Sequence, residues 1–76
     1  MSETVRYQSS LIRASTYDHD HHELEIVFIS GEVRVYTEVP SAKNAELEAC
    51  KGGVPSAGEY FQNHIDGVYS IKSDIH

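Results

Sequence analysis

The sequence has little of what small proteins commonly use as reinforcement. Cys50 is its single cysteine, so no disulfide can form within the chain, and there is no tryptophan among its 76 residues. Small secreted domains are normally rich in cysteine, and we therefore expect a cytoplasmic protein. The longest apolar run, Ile26 to Ile29, is far too short to span a bilayer, and no basic and apolar leader opens the chain. We therefore expect no membrane partner.

Basic residues are also scarce. Six lysines and arginines stand against twelve acids, which gives a formal net charge of −6. A charge of this sign repels phosphate at long range and weakens a general nucleic-acid role, although it leaves room for a local basic patch. The hydrophobic fraction of 39% and the five tyrosines indicate a folded chain with one small core.

The chain divides into three parts by its pattern of apolar residues. Residues 1–8 show no clear periodicity and are predicted to be a flexible lead-in, residues 9–71 form one domain, and residues 72–76 form a tail. Alternating or β-branched runs predict three strands, at Leu11 to Tyr17, Leu24 to Ile29 and Glu32 to Glu38. Ser30 and Gly31 suit a tight hairpin between the second and third strands.

The register of these strands is predicted from which pairing gathers the apolar residues on one face. Pairing Ile12 with Phe28, Ala14 with Ile26, Phe28 with Val33 and Ile29 with Glu32 does so. The predicted inner face is then Ile12, Ala14, Leu24, Ile26, Phe28, Val33 and Val35. The predicted outer face is Arg13, Ser15, Tyr17, Glu25, Val27, Arg34 and Tyr36.

Two helices are predicted to follow the strands. The first has Ser41 as its N-cap and ends before two glycines, with an apolar stripe of Ala42, Ala45, Ala49 and Cys50. Ser56 and Glu59 form a capping box for the second, whose inner stripe is Ala57, Tyr60, Phe61, His64 and Ile65. The fold class is therefore α+β: a three-stranded antiparallel meander covered by two C-terminal helices. The sequence does not decide whether the residues around Val68 to Ile71 add a short terminal strand.

The ordered spacing of these residues resembles the KTSC domain. The residues that carry the resemblance are Ser9, Ser10, Ile12, Ala14, Tyr17, Asp18, Leu24, Ile26, Phe28, Gly31, Tyr36, Val39, Pro40, Ala49, Ser56, Gly58, Tyr60, Phe61 and Ile65. The resemblance covers roughly Val5 to Tyr69. It implies a free-standing bacterial or phage-type protein, similar to a module at the C-terminus of some lysyl-tRNA synthetases. RNA binding is the suggested role of that family, and a signature Tyr-x-Tyr falls on Arg34 and Tyr36, so its first tyrosine is replaced here.

The outer sheet face is the predicted contact surface for a ligand. Arg13, Tyr17, Arg34 and Tyr36 would share it, and aromatic and guanidinium groups on an exposed sheet can stack on bases of RNA or of a nucleotide-like ligand. Two alternatives remain: an ordinary solvated face, or a face buried against another protein or a second protomer. Among the family-motif positions Ser9, Ser10, Ser56, Gly58 and Tyr60, the pattern indicates capping for Ser56 and close backbone approach or a ligand at Gly58.

No residue pattern predicts catalysis. Cys50 and His64 are expected to pack in the core, and no nucleophile, acid and base pair or phosphate loop can be placed, so we expect no enzyme and no cofactor. His19, His21 and His22 are weak candidates for metal binding in the run from Asp18 to Glu23. Adjacent histidines point apart on an extended chain, so a solvated loop is the favoured interpretation there.

Overall fold

The computed structural model describes residues 2–54 and 56–75 and contains one five-stranded antiparallel sheet and two helices. The elements are β1 (Ser2–Arg6), β2 (Ile12–Asp18), β3 (Glu23–Phe28), β4 (Val33–Tyr36), α1 (Ser41–Glu48), α2 (Ala57–His64) and β5 (Ile71–Ile75). The strands lie in chain order across the sheet, each beside the next. Among the described residues, neither helix has the length and apolar character needed to cross a bilayer.

The α+β class is confirmed, and the described sheet has two strands more than the three predicted. The terminal strand that was left open around Val68 to Ile71 forms as β5, further along the chain, and β1 was not predicted. Residues 2–6, expected to be a flexible lead-in, form β1 along β2, and β5 includes residues 72–75 of the expected tail. Met1 and His76 lie outside the described residues. β1 and β5 are the edge strands of the sheet, and edge strands commonly carry charged residues that obscure an alternating apolar pattern.

The register of the sheet differs from the predicted one by a single residue over most of its length. Ile12 pairs with Phe28 as predicted, but a bulge between Ile12 and Ala14 then places Ala14 opposite Val27. A bulge sets two residues of one strand against one of its partner. The remainder of β2 is therefore shifted, and Tyr17 pairs with Leu24.

The β3–β4 hairpin has a longer connection than the predicted two-residue turn. The Phe28 N–H donates to the Glu32 carbonyl at 2.9 Å, so residues 29–31 form the loop, with Gly31 at a φ of 98°. Three-residue hairpin loops of this kind favour glycine at the left-handed position. Val27 accordingly pairs with Val33, and Leu24 pairs with Tyr36.

The two changes of register exchange the faces of β4 and of β2 beyond the bulge, because facing residues of an antiparallel pair share a face, whereas β3 keeps its predicted inner face. Ser15, predicted to lie on the outer face, pairs with Ile26, and Ala14, predicted to lie on the inner face, pairs with Val27. The inner face, against which the helices pack, includes Tyr17, Arg34 and Tyr36, whereas Val33 and Val35 lie on the outer face. The buried apolar core consists of Tyr7, Ile12, Tyr17, Leu24, Ile26, Phe28, Tyr36, Val39, Leu47, Cys50, Ala57, Phe61 and Ile65.

Helix α1 uses a different stripe from the predicted alanine one. Its buried residues are Asn44 and Leu47, and Cys50 is buried just beyond its end. The alanines at positions 42, 45 and 49 are exposed, and Pro40 rather than Ser41 is the N-cap residue. The alanine periodicity alone was misleading here, because a leucine side chain contributes more apolar area than any one alanine side chain.

Helix α2 largely follows the prediction. The Glu59 N–H donates to Ser56 Oγ at 3.3 Å, which confirms Ser56 as the cap, and Phe61 and Ile65 are buried. The ring of Phe61 lies edge-on to Phe28 at 5.4 Å and to Tyr36 at 5.7 Å. His64, predicted to pack inward, is exposed and stacks on Tyr60 at 4.5 Å.

The buried Tyr7 hydroxyl predicts a loss of stability in alkaline solution. It shares a 2.7 Å hydrogen bond with Ser15 Oγ, and burial raises the pKa of Tyr7 from 10.0 to about 12. Because the folded pKa is the higher one, this contribution is fully present below pH 10 and falls as the pH rises through 12. In urea unfolding from pH 9 to 12, Tyr7 should contribute up to about 1.4 kcal/mol per pH unit to the fall in stability, so the fall should be less steep in Tyr7→Phe. Equal slopes in the two proteins would contradict the assignment.

Candidate functional site

The predicted contact face of Arg13, Tyr17, Arg34 and Tyr36 does not form. Tyr17 is 2% exposed and Tyr36 is 0% exposed, and the Tyr17 hydroxyl donates to the Val39 carbonyl at 2.5 Å inside the core. Arg34 lies on the inner face with 27% of its side chain exposed, whereas Arg13 is exposed elsewhere. The shifted register is the reason, and an outer-face stacking platform built from these residues is wrong.

A cleft of about 440 Å³ lies where the β3–β4 hairpin meets the end of α2, and it contains Arg34. We call it the hairpin–helix cleft. It is lined by Ser10, Leu11, Phe28, Ile29, Ser30, Glu32, Arg34, Phe61, Gln62 and Asp66. A volume of this size suits a small organic ligand.

The charged wall of the hairpin–helix cleft is centred on Arg34. Its guanidinium carbon lies 5.0 Å from the centroid of the Phe28 ring, a cation–π arrangement. Arg34 Nε donates to Glu32 Oε2 at 2.6 Å, and Arg34 Nη1 lies 3.9 Å from Asp66 Oδ1. The Tyr36 hydroxyl and the Glu32 carboxylate raise the pKa of Arg34 further above its usual range, so the group is a fixed cation.

The other walls are apolar below and polar at the rim. Phe28 and Phe61 are buried beneath the cleft, and Ile29, at 45% exposure, is a large apolar side chain open to solvent beside it. Ser10 and Gln62 are exposed at the rim. An apolar base with a few convergent polar groups is the usual composition of a ligand site in a protein.

Three of the family-motif positions shape this cleft. Ser9 Oγ accepts hydrogen bonds from the N–H groups of Leu11 (3.0 Å) and Ile12 (3.2 Å), which fixes the turn into β2. A Cβ atom on Gly58 would lie 3.2 Å from Leu11 Cβ, so the predicted close backbone approach is confirmed. These contacts position Leu11, a lining residue, and Ser10 is on the rim.

Tyr60 and Ser56 have a different role, because they organise α2 itself. The Tyr60 hydroxyl donates to Glu46 Oε1 at 2.5 Å, which connects α2 to α1. Burial and the adjacent Glu46 carboxylate raise the pKa of Tyr60, so its hydroxyl remains protonated at neutral pH. Neither residue lines the hairpin–helix cleft.

The Asp and His loop does not assemble a metal site. The N–H of Asp20 donates to Asp18 Oδ1 at 2.9 Å, and Asp18 Oδ2 lies 2.8 Å from His21 Nδ1. His19 instead lies against the Tyr17 ring at 4.7 Å, and His22 has a φ of 56°. Across residues 2–54 and 56–75, no three His, Cys, Asp or Glu side chains are grouped to hold a metal ion.

Glu32, Asp66 and Gln62 are polar cleft residues that were not predicted as site residues. Glu32 is two residues before Arg34, a spacing that places both side chains on one face of a strand. That spacing could have predicted from the sequence that Glu32 and Arg34 lie side by side. Asp66 approaches Arg34 across 32 residues of sequence, and no local pattern could have connected them.

Comparison with known proteins agrees with this architecture. The sequence model of the KTSC domain matches residues 8–69. A solved KTSC domain protein from Yersinia pestis has 25% sequence identity and a TM-score of 0.84, and the match covers 96% of this chain and 97% of that chain. A search of curated proteins finds no match. With most of its length matched by the family model and nearly all of it by the solved relative, the chain belongs to the KTSC domain family.

Proposed function

We propose that the chain is a non-enzymatic binding module that takes a planar nucleobase, free or in single-stranded RNA, in the hairpin–helix cleft. The observation that carries this proposal is Arg34, held over the Phe28 ring at the wall of the cleft between Glu32 and Asp66. A guanidinium in such a position can stack on a base with its flat face, or donate hydrogen bonds to the edge of a base with its N–H groups.

The charges around the cleft favour a base over a phosphate as the group that enters. Glu32 and Asp66 flank the single guanidinium, and the whole chain has a net charge of −6. Two carboxylates beside one cation repel a phosphate, whereas the heterocycle of a base is neutral and has hydrogen-bond donors for the carboxylates. The proposed RNA contact is therefore local, at one or two bases, and not a basic track along the backbone.

The test is a titration of the ¹⁵N-labelled protein with nucleosides, followed by two-dimensional NMR. We expect the backbone signals of residues lining the cleft, such as Leu11, Ile29 and Gln62, to shift saturably. Arg34→Met should weaken binding by about 10- to 100-fold, the usual effect of losing hydrogen bonds to a charged group. Methionine retains an apolar stem over Phe28.

Arg13→Met is the matched control, because it removes the same charge from an exposed position that does not line the cleft. Arg13→Met should change the nucleoside affinity by no more than about twofold if the loss in Arg34→Met comes from contacts in the cleft and not from the change in net charge. Equal losses in the two variants, with both folded by circular dichroism, would show non-specific attraction and refute the proposed site.

A second candidate is a homo-oligomer module, and the outer face of the sheet favours it. Both helices pack on the inner face, and the outer face of β3 and β4 carries the half-buried Val27, Val33 and Val35. An apolar patch that neither helix covers can pack on a second copy of the chain. Light scattering on the NMR samples separates the candidates: a dimer that Val35→Lys converts to a monomer, with no nucleoside shifts, would favour this second function.

A further inference from the structure

We infer that the hairpin–helix cleft selects a base with two adjacent N–H donors beside a carbonyl acceptor, which is the guanine edge. This inference rests on the proposed function, since it names which base the cleft would take. It follows from the chemistry of the three charged side chains, Glu32, Arg34 and Asp66, that face one another across the wall.

The separation of Arg34 and Asp66 leaves them loosely coupled. Arg34 Nη1 and Asp66 Oδ1 are 3.9 Å apart, longer than a direct hydrogen bond, and the Asp66 side chain is 48% exposed. A ligand group that accepts from the guanidinium and donates to the carboxylate can bridge this pair without breaking a short bond. Glu32, by contrast, is bonded to Arg34 at 2.6 Å and fixes the orientation of the guanidinium.

The two partners of such a bridge have opposite and fixed roles. A guanidinium only donates hydrogen bonds, and an ionised carboxylate only accepts them. The complementary ligand edge must therefore present an acceptor next to donors, and a carboxylate with two oxygens is best matched by two parallel N–H groups.

Guanine presents this combination most completely among the common bases. Its O6 carbonyl is an acceptor, and its N1–H and N2–H groups are neighbouring donors that match the two oxygens of one carboxylate. Hypoxanthine keeps O6 and N1–H but lacks the N2 amino group. Adenine has no carbonyl and offers one exocyclic amino group. The order of affinity expected at this cleft is therefore guanine, hypoxanthine and adenine.

The experiment compares guanosine, inosine and adenosine against the full chain by the same NMR titration. Guanosine should bind at least about tenfold more tightly than inosine, because a site built for an N–H group discriminates against a ligand that lacks it. Asp66→Asn should reduce that ratio to about twofold, since the amide has one acceptor oxygen in place of two. Asp20→Asn, at the other end of β3 in the β2–β3 loop, removes the same charge and should keep the ratio.

The outcomes separate this inference from the proposed function. Equal affinity for the three nucleosides would overturn guanine selectivity and leave a general base-binding cleft. No saturable shift with any of them would overturn both. If Asp66→Asn kept the full ratio of guanosine affinity to inosine affinity, the Arg34 and Asp66 pair would not be the group that selects the base.

A further titration with short oligonucleotides distinguishes a base within single-stranded RNA from a free nucleoside or nucleobase. A uridine pentanucleotide with a central guanosine is compared with guanosine itself and with the all-uridine strand. Tighter binding of the guanosine-containing strand than of guanosine indicates single-stranded RNA. Weaker binding of that strand, despite guanosine selectivity, indicates a free nucleoside or nucleobase.

Discussion

Replacing Phe61 with alanine is expected to remove a large part of the stability of the domain. Phe61 is 2% exposed, and its ring contacts Phe28 and Tyr36 edge-on, so it joins α2 to two neighbouring strands. Truncating a buried phenylalanine costs about 3 to 5 kcal/mol. A domain of this length has a total stability of roughly 4 to 11 kcal/mol. Urea unfolding followed by far-ultraviolet circular dichroism, which needs no tryptophan, measures the loss.

Gln62→Ala is the control for this experiment. Gln62 is the next residue of the same helix and is exposed, so its truncation should change the free energy of unfolding by less than about 0.5 kcal/mol. A Phe61→Ala protein within 1 kcal/mol of the wild type would mean that α2 is not held to the sheet through this ring. Phe61→Leu keeps more apolar volume than Phe61→Ala, so its free energy of unfolding should lie between those of Phe61→Ala and the wild type.

The prediction of the helices succeeded where the sequence contained a local cause. Ser56 precedes Glu59 by three residues, and this spacing is sufficient to place the start of α2. Gly58 in the first turn indicated a tight contact, and Leu11 provides it. In α1 the many alanines formed a stripe that was not the buried one, because the large side chain of Leu47 determined which face packed inward.

The sheet was harder to predict because its register depends on two irregularities. A bulge after Ile12 and a three-residue loop after Phe28 each shift the pairing by one residue. Neither irregularity can be read from the order of apolar residues. In β4, a face made of Val33 and Val35 fits an alternating pattern as well as a face made of Arg34 and Tyr36. The prediction therefore placed both tyrosines of the contact face in solvent, although they are among the largest buried side chains.

The hairpin–helix cleft could be predicted only in part for the same reason. Arg34 was predicted from the sequence to be a ligand contact, but on the wrong face and with the wrong neighbours. The pairing of Ile26 with Arg34 turns the guanidinium toward α2 and brings Asp66 within 3.9 Å. A contact between residues so far apart in the chain arises from the tertiary fold, which single-sequence periodicity does not encode.

The contact beneath the cleft gives the second large effect: Gly58→Val is expected to destabilise the domain by about 2 to 3 kcal/mol. A Cβ at position 58 would lie 3.2 Å from Leu11 Cβ and 3.6 Å from Ser9 Oγ, and valine adds two methyl groups beyond that Cβ. Leu11 is fixed by its N–H bond to Ser9, so the turn into β2 must move for valine to fit. The displacement should also reduce nucleoside affinity, because Leu11 lines the cleft.

Gly52→Val is the matched control for this substitution. A Cβ at Gly52 meets no atom within 4 Å, and valine there should change the free energy of unfolding by less than about 0.5 kcal/mol. Urea unfolding of both variants measures the difference, and nucleoside titration at a temperature where both remain folded measures the effect on the cleft. Gly58→Val with wild-type stability would show that the turn at Ser9 can yield without cost. Lost stability with unchanged nucleoside affinity would show that Leu11 supports the fold but not the ligand site.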